Sequence, residues 1–183
     1  MTLRDLLNAD WDRLDLLSSE RPRPRRWWSA LNPRFAPVVL LRTAQRLHAC
    51  GWCRVAKIFS LLNVLLFGLE VPARLPIGPG LIIPHTHGTV LGASTIGANV
   101  TIFQQVTLGA TMADFRFDPA TRPIVQDDVI IAAGAKVLGR VTLGMGCIVG
   151  ANAVVLADVP PGRLAVGVPA RIIDKQGTNH VDR

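Results

Sequence analysis

From about residue 77 onward, aliphatic residues return at every sixth position, a period that belongs neither to a helix nor to a plain alternating strand. The series runs Ile77, Ile83, Val90, Ile96, Ile102 and Leu108, then Val125, Ile131, Val137, Leu143, Val149 and Val155. The step from Ile83 to Val90 is one residue longer, so a residue is inserted near Thr89. A second inward position recurs four residues after the aliphatic one, and it is small or β-branched: Val100, Val106, Val129, Ala135, Val141, Cys147, Ala153 and Val159. Glycine follows many of the aliphatics directly, as Gly78, Gly97, Gly109, Gly144 and Gly150. Each hexad therefore reads as a short strand plus a turn, and three hexads close a triangular coil with the aliphatic side chains inside. One coil cannot bury its own interior, so coils must stack. A sandwich of alternating strands predicts period two and fits poorly.

The residues before the repeat carry a different period. Leu3, Leu6, Leu7, Trp11, Leu14 and Leu17 recur at three- and four-residue steps, with Thr2 as N-cap, and predict a helix. Glu20 to Arg26 holds two prolines and four arginines and reads as an exposed linker. Asn32-Pro33 predicts the start of a second helix with Val38, Leu41 and Leu47 on its apolar face. Gly51 breaks it, and a third helix is expected from about Val55 to Leu66, ended by Gly68. The predicted fold is thus α+β: a helical region over 1–69, a β-helix over 70–173 and a tail over 174–183. The register is interrupted from Thr111 to Ile124, so a loop over 111–124 is expected to protrude from the solenoid, and a long ejected loop favours a functional role.

Composition adds little to the fold but narrows the partners. With 183 residues the chain suits one domain, or a small cap plus one domain. Apolar residues make up 49% and charged ones 18%, so some apolar surface is expected to be buried between subunits. A net charge of +7 suits an anionic partner, whether nucleic acid, membrane phosphate or a phosphorylated cofactor. Aromatics are scarce and Tyr is absent, which removes the stacking platforms of a single-strand nucleic-acid binder. No motif supports a DNA-binding or nucleotide-sugar-binding role. Cys50, Cys53 and Cys147 are an odd, sparse set without a signal-peptide pattern, which points to a reducing, cytoplasmic setting. Cys50-Gly51-Trp52-Cys53 reads as a turn between helices and not as a redox motif. The apolar run Ile58–Leu69 is shorter than the ~20 residues of a membrane crossing and reads as a helix buried in the protein or at a subunit contact.

The chemistry concentrates in one hexad. Of His48, His85, His87 and His180, two fall in Ile83-Pro84-His85-Thr86-His87-Gly88, beside the inserted residue. An imidazole there can take the proton of a hydroxyl and make it a nucleophile. Such a base wants a carboxylate to fix its tautomer. Glu70 stands fifteen residues before His85, close to one coil, and is expected to stack beside it. Zinc would need more ligands than the two histidines supply, so no metal is expected.

These residues resemble the hexapeptide-repeat acyltransferases, and among them the serine acetyltransferases and their relatives acting on sugars or polysaccharides. The resemblance runs from roughly residue 32 onward. It rests on Asn32-Pro33, Arg42-Thr43-Ala44-Gln45-Arg46-Leu47, Val100-Thr101-Ile102-Phe103-Gln104-Gln105-Val106-Thr107-Leu108-Gly109, Ala133-Gly134-Ala135-Lys136-Val137-Leu138-Gly139 and Gly167-Val168-Pro169-Ala170-Arg171. It implies a left-handed β-helix and an acetyl-CoA-dependent O-acetyltransferase. His85 would be the general base and Glu70 its acidic partner, with Glu where the family usually has Asp. The acceptor hydroxyl would attack the thioester directly, with backbone N–H groups around the oxyanion. His87, Gln104 and Arg122 are the implied acceptor-binding positions. Coenzyme A would lie in a groove between subunits along Gly109, Ala110, Ala133, Gly134, Lys136 and Arg171, with Lys136 and Arg171 offering charge to its phosphates. The implied assembly is a homotrimer, or two stacked trimers, with a small hydroxyl-bearing acceptor, no nucleic acid and no transmembrane segment.

Two departures bear on the acceptor. The family's Asp before the catalytic His is Pro84 here, and its loop Arg-His-Pro is Thr121-Arg122-Pro123. Both changes remove parts of the clamp on an amino acid, and Arg122 remains able to meet a carboxylate, sugar or phosphate oxygen. From the resemblance, serine or a serine-like molecule is the first acceptor expected; a sugar or polysaccharide hydroxyl, which the missing Asp favours, is the second. A β-helix serving only in assembly is the third reading.

Overall fold

The structure, a computed structural model, describes residues 1–18, 25–112 and 117–174. Helix α1 spans Leu3–Ser18. Its start is a reciprocal cap: the Asp5 N–H donates to Thr2 Oγ1 at 3.2 Å, and the Thr2 N–H donates to the Asp5 carboxylate at 2.8 Å. The Thr2 backbone and then its hydroxyl hold the Asp5 carboxyl below its ordinary range. Leu7, Trp11 and Leu14 bury one stripe of α1 with Phe35, Val38 and Ile82, and Trp11 meets Phe35 edge-on at 5.2 Å.

The second helix starts later than Asn32-Pro33 predicts. A 3-10 turn covers Trp27–Leu31, and helix α2 spans Ala36–Ala49 with Pro37 in its first turn. Asn32 caps a turn instead: its Oδ1 accepts the Arg34 N–H at 2.9 Å, and its carbonyl accepts those of Phe35 and Ala36. Phe35, wedged against Trp11, fixes the chain there before the helix can begin. Helix α3 spans Cys53–Phe67, and Cys50 to Cys53 is the turn joining the two helices. Most of the Glu20–Arg26 linker lies outside the described residues. Arg25 is tied down by its Nε, which donates to Asn8 Oδ1 at 2.7 Å.

Within one chain α3 is not buried as its sequence suggests. Ala56 and Asn63 are its buried positions, and the Asn63 amide donates to the Pro37 carbonyl. Ile58, Leu61, Leu62, Leu65 and Leu66, which share helical spacing, stand exposed. The helix is apolar on more than one face, and α2 covers only one of them. Among the described residues, no helix is long and apolar enough to cross a membrane.

From Leu69 the chain becomes a parallel β-helix of three faces. One face stacks β1 (Leu69–Glu70), β2 (Thr89–Leu91), β5 (Thr107–Gly109), β8 (Lys136–Leu138) and β11 (Val154–Val155). A second stacks β4 (Thr101–Ile102), β7 (Ile130–Ile131), β10 (Ile148–Val149) and β12 (Leu164–Val166), closed by the antiparallel β13 (Arg171–Ile173). The third holds β3 (Thr95–Ile96), β6 (Ile124–Val125) and β9 (Thr142–Leu143). A regular coil takes eighteen residues, as Val125 to Leu143, Ile131 to Val149 and Val137 to Val155 show. The step grows to twenty-nine from Ile96 to Val125 and from Ile102 to Ile131, where the interrupting segment intervenes. Residues 113–116 of that segment lie outside the described residues.

The inward positions follow the hexad register with one correction. Val90 faces outward opposite Glu70 and Thr107, while Thr89 and Leu91 point inward, both fully buried. The insertion beside the histidines makes β2 a three-residue strand, so its ends point in and its middle points out. Stacked aliphatics at 0% exposure form the core, and each is worth roughly 1.5–3 kcal/mol of burial. Coils approach closely at the glycines. A Cβ on Gly78 would sit 2.6 Å from Ala98 N and Gly97 C, all rigid backbone. Gly78→Ala is therefore expected to destabilise by about 1–3 kcal/mol through forced coil separation, read as a lower urea midpoint with an unchanged slope.

Cys147 occupies an inward position, and burial pushes its thiol up to about 11. Cys50 and Cys53 are exposed. Native protein at neutral pH should show two fast-reacting thiols, with the third appearing only in denaturant; a thiol titration in both buffers checks this.

Two arginines, Arg42 fully buried and Arg13 half-buried, fasten the helices to the first coils. Arg42 pairs with Asp10 at 2.8 Å, both side chains fully buried. Its Nη1 donates to the Ile77 carbonyl at 2.8 Å and its Nη2 to the Gly78 carbonyl at 2.6 Å. Asp10 also accepts the Leu81 N–H. Arg13 donates to the Gly80 and Val100 carbonyls and to Thr101 Oγ1.

Candidate active site

The two-histidine hexad is stapled to the end of α3. Thr86 Oγ1 donates to the Phe67 carbonyl at 2.7 Å, and the Gly88 N–H donates to the Gly68 carbonyl at 3.0 Å. Gly68 ends α3 at a φ of 61°. A Cβ there would also lie 3.0 Å from His87 Nδ1, so glycine serves both the left-handed turn and the close approach of the ring. His85 and His87 themselves are exposed.

These histidines open onto a cavity of about 530 Å3. Its walls are Pro33, Arg34, Phe67, Pro84, His85, Thr86, His87 and Gln104. Among the described residues, Gln104 Oε1 is buried without a hydrogen-bond partner, an acceptor waiting for a donor. Above it the same corner of the β-helix continues as a ladder. The Gln105 N–H donates to the His87 carbonyl, Gly134 to Gln104, and Asn152 to Ala133. Lys136 Nζ reaches down to the Gln105 carbonyl. The structure thus brings His85, His87 and Gln104 together and sets Ala133, Gly134 and Lys136 directly along their corner. Gly134, at a φ of 75°, has no room for a Cβ beside Asn152 Oδ1.

The other expected residues fall elsewhere. Glu70 does not stack on His85: its ladder partner is Val90, because the entry coil takes twenty residues. Among the described residues no hydrogen bond or ion pair joins the two, and Glu70 is exposed. Arg122 is buried and does not line the cavity. Its Nη1 donates to the Gly92 carbonyl at 2.9 Å, and its guanidinium lies 3.8 Å over the Phe117 ring. Gly109 sits on β5 beside Leu138, with open space where a Cβ would be, and Ala110 follows it. Arg171 is exposed on β13, at the closing end of the stack. Pro33, Arg34 and Phe67 were not expected at the site. The signal for the first two is Asn32, whose cap bends the chain toward the histidines, and for Phe67 it is the neighbouring Gly68. Among the described residues no three His, Cys, Asp or Glu side chains gather to hold a metal.

Comparison with known proteins fits this arrangement. Residues 122–157 match the model of the bacterial transferase hexapeptide (six repeats). A serine acetyltransferase of Helicobacter pylori (strain J99) is 38% identical over 165 residues, which cover 88% of this chain and 95% of that protein. Soybean serine acetyltransferase complexed with serine superimposes with a TM-score of 0.79 at 32% identity, covering 93% of this chain and 69% of that one. A serine acetyltransferase in complex with CoA gives a TM-score of 0.77 at 29% identity, covering 93% and 69%. With its helices, its left-handed hexapeptide β-helix and this extent of similarity, the chain belongs to the serine acetyltransferase family of acyltransferases.

Proposed function

We propose that this chain moves the acetyl group of acetyl-CoA onto the hydroxyl of serine, with 70–173 as the catalytic domain. In this reading His85 takes the hydroxyl proton as the oxygen attacks the thioester carbonyl; the C–S bond breaks and the coenzyme leaves as the thiol, to which the proton passes. The observation that carries the proposal is the single cavity holding His85, His87 and the unpartnered Gln104 Oε1, at the foot of the Ala133–Lys136 corner. His87 and Gln104 position the acceptor. Coenzyme A runs along Gly109, Ala110, Ala133, Gly134 and Lys136, with Arg171 meeting its phosphates. Glu70 orients the imidazole once its exposed side chain swings to His85 with substrates bound, since such bonds tighten in the reacting complex. Arg122 acts by holding its own end of the loop, with Phe117, to the Gly92 turn.

The exposed stripe on α3 supports an oligomer, and a homotrimer is the assembly we assign. Three free cysteines and the use of acetyl-CoA support a cytoplasmic setting. A sugar hydroxyl is the second acceptor, favoured by Pro84 in the cavity wall, where the family usually has a carboxylate. The test is thiol release from acetyl-CoA with serine, with neutral sugars and without acceptor. Serine-dependent release with O-acetylserine as product is expected. Release only with sugars selects the second reading, and no release with any hydroxyl acceptor rejects both.

A further inference from the structure

The cavity has a cation that neither the hexads nor the family resemblance assigns. Arg34 lines it, exposed, from the turn that precedes α2. Its backbone is held fast. Its N–H donates to Asn32 Oδ1, and the next residue, Phe35, is 1% exposed against Trp11. Among the described residues, no carboxylate pairs with its guanidinium. The remaining walls are Pro33, Phe67, Pro84, His85, Thr86, His87 and Gln104, so among the described residues no carboxylate lines the cavity. Charge there is positive or absent. Such a site attracts an anionic head group and offers an ammonium neutral acceptors such as the Gln104 carbonyl oxygen, with no anion to pair it.

We propose that Arg34 is the acceptor-specificity residue: it holds the carboxylate of the acceptor, and no anionic group reads the α-amino group. The acceptor class is then a β-hydroxy carboxylate, with or without an amine. This rests on the reading of His85 as the base for hydroxyl attack, because that places the hydroxyl at His85 and the carboxylate across the cavity.

The experiment measures kcat and KM for serine, for 3-hydroxypropionate (serine without its amine) and for serinamide (serine without its carboxylate charge). Wild type, Arg34→Gln and Arg34→Lys are compared. Wild type should use 3-hydroxypropionate within about tenfold of serine, because no ion pair to the amine is lost. Serinamide should fall by a factor of about 10–100 in kcat/KM, the size of one charge-assisted hydrogen bond. Arg34→Gln should raise the KM for serine by a similar factor, with the KM for acetyl-CoA and the kcat/KM for serinamide unchanged; Arg34→Lys should recover part of the loss. Equal use of serine and serinamide by wild type overturns the proposal. So does a parallel loss for both acceptors in Arg34→Gln, a preference for serine over 3-hydroxypropionate beyond about a hundredfold, or activity only on neutral sugars. Calorimetric binding of 3-hydroxypropionate to His85→Ala, with and without Arg34→Gln, separates the two readings. Arg34-dependent binding there upholds the anion site even if turnover fails, and Arg34-independent or absent binding overturns it.

Discussion

His85→Ala should lower serine-dependent thiol release by about a hundred- to ten-thousand-fold, the range for loss of a positioned general base. The fall should be in kcat. The imidazole is exposed at the cavity, and nothing in the fold hangs on it: the turn is held by Thr86 Oγ1 to Phe67 and by the Gly88 N–H to Gly68. The KM for acetyl-CoA should therefore hold, since the Ala133–Lys136 corner is untouched, and the melting temperature should stay near that of wild type. His87→Ala makes the sharper control. Its ring lies against Gly68 in the same cavity, so it should raise the KM for serine more than it lowers kcat. Steady-state kinetics of both variants check the pair. The opposite pattern, a kcat collapse in His87→Ala alone, would move the base to His87.

Arg42→Ala should cost about 3–5 kcal/mol of stability, the price of a buried ion pair broken on one side. The Asp10 carboxylate would be left fully buried, with the Leu81 N–H as its remaining hydrogen-bond donor among the described residues. The Ile77 and Gly78 carbonyls would lose their donors in the same stroke. These carbonyls belong to the first coil, so α1, α2 and the start of the β-helix should loosen together. Urea unfolding should show the midpoint dropping sharply. Asp10→Leu combined with Arg42→Met, which removes both charges, should recover much of the loss. If Arg42→Ala unfolds like wild type, the pair does not fasten the helices to the coils.

Much of this was readable in the residues, and the reasons are physical. The hexad series is legible because every coil repeats one demand, an aliphatic side chain facing inward, and Ile131, Val137, Leu143 and Val149 meet it at 0% exposure. It misleads at Val90, where the insertion that shapes the histidine turn also changes which residues of β2 point inward. His85 and His87 stand out because they break the repeat. Glu70 meets Val90 in the ladder and not His85, because the entry coil takes twenty residues, a length that a spacing count does not reveal. Arg122 looked like a ligand because its charge is visible in sequence, while its burial under Phe117 is a tertiary fact. Arg34 was missed for the converse reason. Its turn is local, and only the packing of Phe35 on Trp11 carries it to a cavity whose histidines lie more than fifty positions away. The uncovered face of α3 was half legible: the apolar run is obvious, but which face α2 leaves open is not.

The account turns on direct attack by the acceptor at a base-assisted site, with no acetyl group passed to the protein. Rapid mixing of enzyme with acetyl-CoA, before and after adding serine, tests this most directly. The account predicts no burst of free thiol without acceptor, and, with serine present, thiol and O-acetylserine appearing in equal amounts at a rate that His85→Ala abolishes. A burst of thiol stoichiometric with enzyme in the absence of serine, or serine-dependent turnover that survives in His85→Ala, would contradict it.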